Sequence, residues 1–355
     1  MVEQQTKRRG RPVSLAVIAQ RAGVSMVSVS KALNATGDKT QGVSPETIVK
    51  IRRIARELGY RPNMAARILR GGKSQMIGAF LDTHAPSAKM AIVAAVEQAL
   101  ARHGYRMMVG QFHDSLERVR DYINDFSMRG VDGVIGFGHD YSDPTLARHV
   151  PQALAQMSNV VFVGRARLEQ PYNCVTFNYT AGIHMAYDHL LHTGRKRIGM
   201  ITLDSNALSP QEKLEGYRQA QKTHGHAADP ALIGVLPNDM LPSLDTTREI
   251  VLRVIQQGGA DALIVHSDLC ARIVLRALDQ SKYVVPRDLA IVSMDNDIDS
   301  QYARPSLTTI GYDIEQFAGQ IVERVLALIE GEAANEEPEV RIIEPKLIVR
   351  ESSSN

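Results

Sequence analysis

Apolar residues recur at helical spacing over the first sixty positions and in short, nearly continuous runs afterwards, so two architectures follow one another along the chain. In "LAVIAQRA", Leu15, Ile18, Ala19 and Ala22 share one face, with Ser14 placed as N-cap and Gly23 as terminator. Past the apolar turn residue Val24, Ser25 is placed to cap a second helix from Met26 to about Leu33. On it Val29, Ala32 and Leu33 face inward, and Met26, Val27, Ser28 and Lys31 fall largely on the other side. This is the pattern of a helix-turn-helix. A third helix begins at Ser44 and Pro45, carries Ile48, Ile51, Ile54, Ala55 and Leu58 as a stripe, and ends at Gly59. A fourth, "MAARIL", starts after Asn63 and stops at Gly71 and Gly72; a helix this short is marginal alone in water.

From Met76 the pattern changes. "MIGAFL", "YRMMVGQF", "VDGVIGFG", "NVVFVGR", "RIGMITL", "DALIVHS" and "LAIVSMD" read as buried parallel strands. Amphipathic segments such as "KMAIVAAVEQALARHGY" and "AGIHMAYDHLLHTG" alternate with them. The expected class is α/β with doubly wound parallel sheets, whose ligands bind beyond the carboxyl ends of strands. The strands exceed what one small sheet needs, which predicts two lobes.

Charge separates the same two parts. Residues 1–73 hold 15 Lys and Arg against four acids (Glu3, Asp38, Glu46, Glu57), leaving 26 basic and 35 acidic residues for the remainder. A basic head on an acidic body reads as a polyanion-binding module attached to something with another task. At 355 residues the chain exceeds a single core, and no apolar run approaches the roughly 18 residues of a membrane helix. The polar, basic opening "MVEQQTKRRGRPVS" lacks the apolar core of a secretory signal. Two distant cysteines, Cys174 and Cys270, argue against a disulfide framework or a zinc finger and suit a reducing cytoplasm.

The second helix has the chemistry of a surface. In a major groove, Met26 and Val27 can meet thymine methyl groups, and Lys31 can donate to guanine N7 or O6. Ser25, Ser28 and Ser30 are short donors suited to phosphate oxygens, Ser25 at the positive end of the helix. Further on, Leu69 between Arg67 and Arg70 fits an apolar wedge for a minor-groove base step, with an ordinary linker as the alternative. Arg9 to Pro12 spell RGRP, as in minor-groove arms, with a disordered basic tail as the alternative.

The order "VSLAVIAQRAGVSMVSVSKALN … VSPETI … ELGYRPNMAARIL" closely resembles the DNA-binding head of the lactose-repressor (LacI/GalR) family of bacterial transcription regulators. The resemblance implies that Met26, Val27 and Lys31 read bases. It implies that Ser14, Ser25, Ser28, Ser30 and Asn34 are mainly phosphate contacts, and that Arg67 and Leu69 belong to a minor-groove hinge helix. The loop Ala35–Val43 is long for the family. "GVDGVIGFG", "HLLHTGRKRIGMI", "KLEGYRQA", "HSDLCARIVLRALDQ", "VPRDLAIVSMDN", "PSLTTI" and "PKLIVRES" extend the likeness to about Glu351. They imply a two-lobed core akin to periplasmic sugar-binding proteins, with a small effector in its cleft.

The domain organisation expected on this basis is a basic arm (1–12), a helix-turn-helix domain (13–61), a hinge helix and linker (62–73), a two-lobed core (74–345) and a C-terminal tail (346–355). Crossovers near 174, 304 and 321 would divide the core into lobe 1 (about 74–174 and 305–320) and lobe 2 (about 175–304 and 321–345). Asp268 stands where the family uses an Asp to hold effector hydroxyls or a polar ring edge, and Lys213 where an Arg usually binds effector. Asp295 fits a strand-end cleft position. Ser87 closes the stretch HAPS, as in the lactose repressor, which points toward a sugar. Against that, "DTHAPSAKM" lacks the aromatic residues that often stack on a sugar ring, and Asn178 replaces a common Asp.

Catalysis finds no support in the motifs. There is no P-loop and no nucleophile elbow, and "GFG" is not a dinucleotide fingerprint. "HGH" at 224–226 reads as a solvated loop rather than a metal site, and "MDNDID" lacks a partner motif. The expectation is a cytoplasmic, nucleoid-associated regulator, a repressor rather than an enzyme, without metal, cofactor or membrane contact. Its partners would be pseudo-palindromic double-stranded DNA, a sugar, sugar acid or related effector, and a second copy of itself. The C-terminus has no heptad run that would take assembly beyond a homodimer. The alternative is a solute-binding receptor of the periplasmic class, which the body would fit and the basic head does not.

Overall fold

The computed structural model describes residues 13–34, 42–60, 72–81, 87–113, 115–137, 143–205, 207–237, 243–279, 281–333 and 336–354. The chain divides into two compact units, Met1–Ser74 and Gln75–Asn355.

Among the described residues the first unit consists of three α-helices, α1 (Leu15–Ala22), α2 (Met26–Asn34) and α3 (Pro45–Glu57), with their connections. Ile18, Ala22, Val29, Ala32, Ile48, Ile51 and Ile54 are buried together, so the helical stripes close on one small core. Each Ile or Val so enclosed contributes roughly 1.5–3 kcal/mol, which these short helices need because they are marginal alone. Gly23 ends α1 at φ 70°, and the Val24 N–H returns to the Ala19 carbonyl at 3.1 Å. Only glycine takes that left-handed turn without strain. Ser44 caps α3 through the Thr47 N–H, as its placement predicts. Ser14 holds the N-cap position of α1, yet its hydroxyl makes no capping bond.

The second unit carries two six-stranded sheets. The first orders as β11-β5-β4-β3-β1-β2, from β1 (Met76–Leu81), β2 (Arg106–Gln111), β3 (Gly133–Phe137), β4 (Val160–Val163), β5 (Asn173–Phe177) and β11 (Val340–Ile343). The second orders as β12-β10-β9-β8-β6-β7, from β6 (Ile198–Asp204), β7 (Ile233–Pro237), β8 (Ala262–Val265), β9 (Ala290–Met294), β10 (Thr308–Gly311) and β12 (Lys346–Ile348). Every pair is parallel except β10 with β12. Helices α4 (Ser87–Arg102), α5 (Leu116–Arg129), α6 (Pro144–Leu154) and α11 (Ile314–Glu330) cover the first sheet; α7 (Tyr179–His192), α8 (Leu208–Thr223), α9 (Leu244–Gln256) and α10 (Asp268–Leu278) cover the second.

The lobes are discontinuous, but two of the three expected crossovers are displaced. The chain passes between sheets at 177–179, at 311–314 and at 343–346. Thus β10, expected in lobe 1, pairs with β9 in the second sheet. Helix α11 and strand β11 lie in lobe 1, with Phe317, Ile321 and Val325 packed on Ile135 and Val161, although most of that segment was expected in lobe 2. The reason is that β10 reads "TTIG". Its two threonines look like loop residues, yet both are fully buried because their hydroxyls are bonded internally. Residues 346–355 are likewise no free tail. Lys346–Ile348 forms β12, and Ser352 and Ser353 are buried, Ser352 accepting from the Thr308 N–H and donating to the Ile291 carbonyl.

Candidate nucleic-acid interface and effector site

The turn after Gly23 sets the outer face of α2. Val29 and Ala32 point into the head core, which leaves Met26 56% and Val27 65% exposed, with Ser25 and Lys31 also exposed. Large apolar side chains this open at a helix start are not packing residues. The Ser25 hydroxyl accepts from the Ser28 N–H at 3.0 Å and meets the Ser28 hydroxyl at 2.9 Å, which fixes the first turn. Ser28 and Ser30 are half-buried along the helix. Ser14 is exposed and its hydroxyl is not used for capping. The structure therefore brings together Met26, Val27, Lys31 and the serines on one small domain. The side chain of Asn34, the arm 1–12, the loop at 35–41, and Arg67 and Leu69 of the expected hinge lie outside the described residues.

In the core, the residues expected at the cleft sit at the carboxyl ends of strands. Lys213, on α8, is only 3% exposed; its ammonium donates to the His266 carbonyl at 2.8 Å, just beyond β8, and lies 4.9 Å from the centre of the Tyr179 ring. Asp268 opens α10 and is 0% exposed. Its Oδ1 accepts from the hydroxyls of Ser293 and Thr309, and its Oδ2 from the Asp297 N–H at 2.7 Å. Burial pushes this carboxyl above the usual range, against those bonds. Its visible task is to tie the ends of β9 and β10 and the start of α10 together.

Asp295 and Asn296 follow β9 at φ 107° and 53°. Positive φ is strained for a non-glycine residue, and such strain is concentrated at binding sites. Gly311 on β10 allows the close approach, since a Cβ there would lie 2.6 Å from the Asn296 Cβ. Asp297, next along, accepts from Arg272 at 2.7 Å and from the Ser300 N–H at 3.0 Å. Burial would raise the Asp297 carboxyl, but the Arg272 guanidinium and the Ser300 bonds hold it below the usual value. Ser87, the first residue of α4, donates to Asp297 at 3.2 Å and so links the two lobes.

Several cleft residues had gone unnoticed in the sequence. Arg165, just past β4, pairs with Glu212 of α8 at 2.9 Å across the lobes, and Arg167 donates to Gln211 at 3.1 Å beside it. Burial raises the Glu212 carboxyl, while Arg165 and then Lys213 draw it down. An edge-to-face row, Tyr179–Phe177–Tyr312–Phe317, with centroids 5.0–5.3 Å apart, runs past the first two crossovers. Phe177 and Phe317 in this row are buried in the cores of the two sheets, with Tyr179 and Tyr312 packed against them. Their only sequence signal was their position beside strand ends. Cys174, at the back of β5, is buried and its thiol is pushed up to about 12, so it is unreactive. Among the described residues no His, Cys, Asp and Glu group is arranged to hold a metal ion, and no helix is long and apolar enough to cross a membrane.

Comparison with known proteins covers both units. Residues 14–63 match the model of bacterial regulatory proteins of the lacI family, and residues 187–353 that of a periplasmic binding protein-like domain. The HTH-type transcriptional regulator CelR of Thermobifida fusca is 28% identical over 98% of this chain and 99% of its own. The HTH-type transcriptional repressor PurR of Escherichia coli O139:H28 is 29% identical over 94% of this chain and 95% of its own. Among solved structures, a lac repressor dimer bound to operator and the anti-inducer ONPF superposes with a TM-score of 0.78 at 24% identity, over 97% of this chain and 100% of that one. A CelR–cellobiose complex gives 0.68 at 25%, over 96% and 99%. The basic head built around one exposed helix thus matches bacterial regulatory proteins of the lacI family over residues 14–63, the body matches a periplasmic binding protein-like domain over 187–353, and the chain as a whole is similar to HTH-type transcriptional regulators.

Proposed function

We propose that the protein is a sequence-specific transcriptional repressor, working as a homodimer on a pseudo-palindromic operator, with its grip set by a small effector in the core cleft. The observation that carries this reading is the outer face of α2, where Met26, Val27, Ser25 and Lys31 stand exposed while Val29 and Ala32 fill the core. An apolar pair beside a cation matches thymine methyl groups next to guanine acceptors in a major groove. Ser14, Ser25, Ser28, Ser30 and Asn34 serve the phosphates, and Arg67 and Leu69 the central minor groove. The chain acts in the cytoplasm, at the nucleoid, and catalyses no reaction.

For the effector, cleft polarity and the sugar in the CelR–cellobiose complex support a sugar, sugar acid or related metabolite. Asp295, Lys213 and Ser87 line the cleft, and Asp268 positions its wall. The effector acts only through a difference in affinity between two lobe arrangements. The cross-lobe bonds Arg165–Glu212 and Ser87–Asp297 are the contacts that such a rearrangement would make or break.

A gel-shift titration of the full-length protein against its gene's upstream region tests this reading. Retention selective over random duplex of the same length is expected. Equal retention of both, with and without candidate metabolites, would overturn it.

A further inference from the structure

Where the core begins, the chain passes through a residue in a strained backbone conformation. Gln75, the first residue of the second unit and the one before β1, stands at φ 57°. A side chain disfavours this left-handed region, and glycine enters it freely. Lobe 1 holds Gln75 there. Its N–H donates to the Asp132 carboxylate at 2.7 Å, and its carbonyl accepts from the Arg106 N–H at 2.9 Å. Asp132 is fixed in turn: its N–H donates to the Met76 carbonyl at 2.9 Å, and its carbonyl accepts from the Asn159 side-chain amide at 2.7 Å. A strand start does not by itself need the left-handed form, since Tyr105 and Asp132, just before β2 and β3, do not adopt it. Asn159, before β4, does so at φ 55°, where Asn is better tolerated. Strain of this kind persists only where the surroundings over-determine it. All of these residues lie at the amino ends of parallel strands, whereas the cleft lies beyond the carboxyl ends, about 20 Å away along the six residues of β1.

We infer that Asp132 is a positioning residue for operator binding: by locking Gln75 in the left-handed form, it sets the course of the chain where it leaves lobe 1 toward the head. Without the lock, Gln75 relaxes to negative φ, and the head no longer follows the lobe that carries it. A dimer must hold its two heads at the spacing of two half-sites, so a misdirected chain costs affinity on the full operator and nothing on one half-site. The inference rests on the regulator reading and adds the joint through which the core directs the head.

The test uses full-length protein in gel-shift titrations well below the melting temperature, with the full operator and a single half-site of it as separate probes. Retention of the operator by the parent protein is scored first: its absence removes the regulator reading and this inference with it, while a failure confined to the variants leaves that reading standing. Asp132→Ala should weaken full-operator binding about fivefold to thirtyfold, because Gln75 must be returned to its left-handed form on the DNA, and should bind the half-site as the parent does. Asp132→Asn keeps an oxygen for the Gln75 N–H and should bind both probes normally. Glycine needs no lock, so Gln75→Gly added to Asp132→Ala should recover most of the loss. Gln75→Val, which leaves Asp132 in place but disfavours positive φ further, should weaken full-operator binding as well, and it tests the joint should Asp132→Ala not fold. Full-operator binding unchanged in both Asp132→Ala and Gln75→Val, equal losses on operator and half-site, or no recovery with glycine would each overturn the inference.

Discussion

Lys31 and Asp268 are both charged residues on short helices, and their surroundings give them opposite tasks. Lys31 is exposed on the open face of α2, so Lys31→Ala should leave the fold intact and relax selectivity at one base position of each half-site, by roughly 1–3 kcal/mol. Competition gel shifts with operators varied at single positions check this; uniform weakening on every sequence would make Lys31 a phosphate contact. Asp268 is enclosed, and three donors depend on it. Asp268→Ala leaves those donors unpaired and should cost about 3–5 kcal/mol in urea unfolding. Asp268→Asn should cost far less, because its oxygen can keep the Asp297 N–H while the Ser293 and Thr309 hydroxyls rotate to accept from its amide. A loss as large as that of Asp268→Ala would mean the negative charge itself holds the strand ends.

Elements with a strong period were legible from the residues, and those held by hydroxyl bonds were not. The stripe Ile48, Ile51, Ile54 and Ala55 gave α3 with its Ser44 cap, and "MIGAFL" gave β1 because continuous apolar runs mark strands buried on both faces. β10 and β12 have no such signature. Thr308 and Thr309 are buried because Arg350, Ser352 and Asp268 lie at the right distance, a fact of tertiary structure that no local pattern records. For the same reason Arg165 and Glu212, far apart in sequence, were invisible as a pair, whereas Lys213 and Asp268 were found through the family's motifs. Packing between elements adds constraints that the sequence only hints at. Gly78 on β1 faces α5, where a Cβ would lie 2.4 Å from the ring of Phe126, itself wedged against Phe80 with centroids 5.0 Å apart. Gly78→Ala should therefore destabilise the core by about 1–3 kcal/mol, read as a melting temperature lower by several degrees. A melt unchanged from the parent protein would show that Phe126 has room to swing away.

At the scale of the whole molecule, a head with 15 basic and 4 acidic residues over positions 1–73 is attached to a body with an acidic excess, which separates gripping from sensing. Operator affinity should fall on a log–log plot against salt with a slope of about −0.9 for each phosphate neutralised, and a flat dependence would detach the charge asymmetry from DNA binding. Effector binding in the core should show almost none of this dependence, since buried groups are screened much less than exposed ones. The two measurements are bound together by linkage. If effector changes operator affinity by some factor, operator must change effector affinity by the same factor, whichever direction the regulation takes. Titrating effector calorimetrically with and without saturating operator, and operator with and without saturating effector, gives both factors independently. Their equality is required of any closed cycle between the same two sites, so it checks that both titrations report one effector site and one operator site. Glu212→Gln, which weakens the Arg165 link across the lobes at 2.9 Å, should move both factors together while leaving the head's base preferences unchanged. A variant that altered the effector factor alone, at equilibrium, would point to ligand bound at a second place rather than to a shift between two arrangements of one cleft.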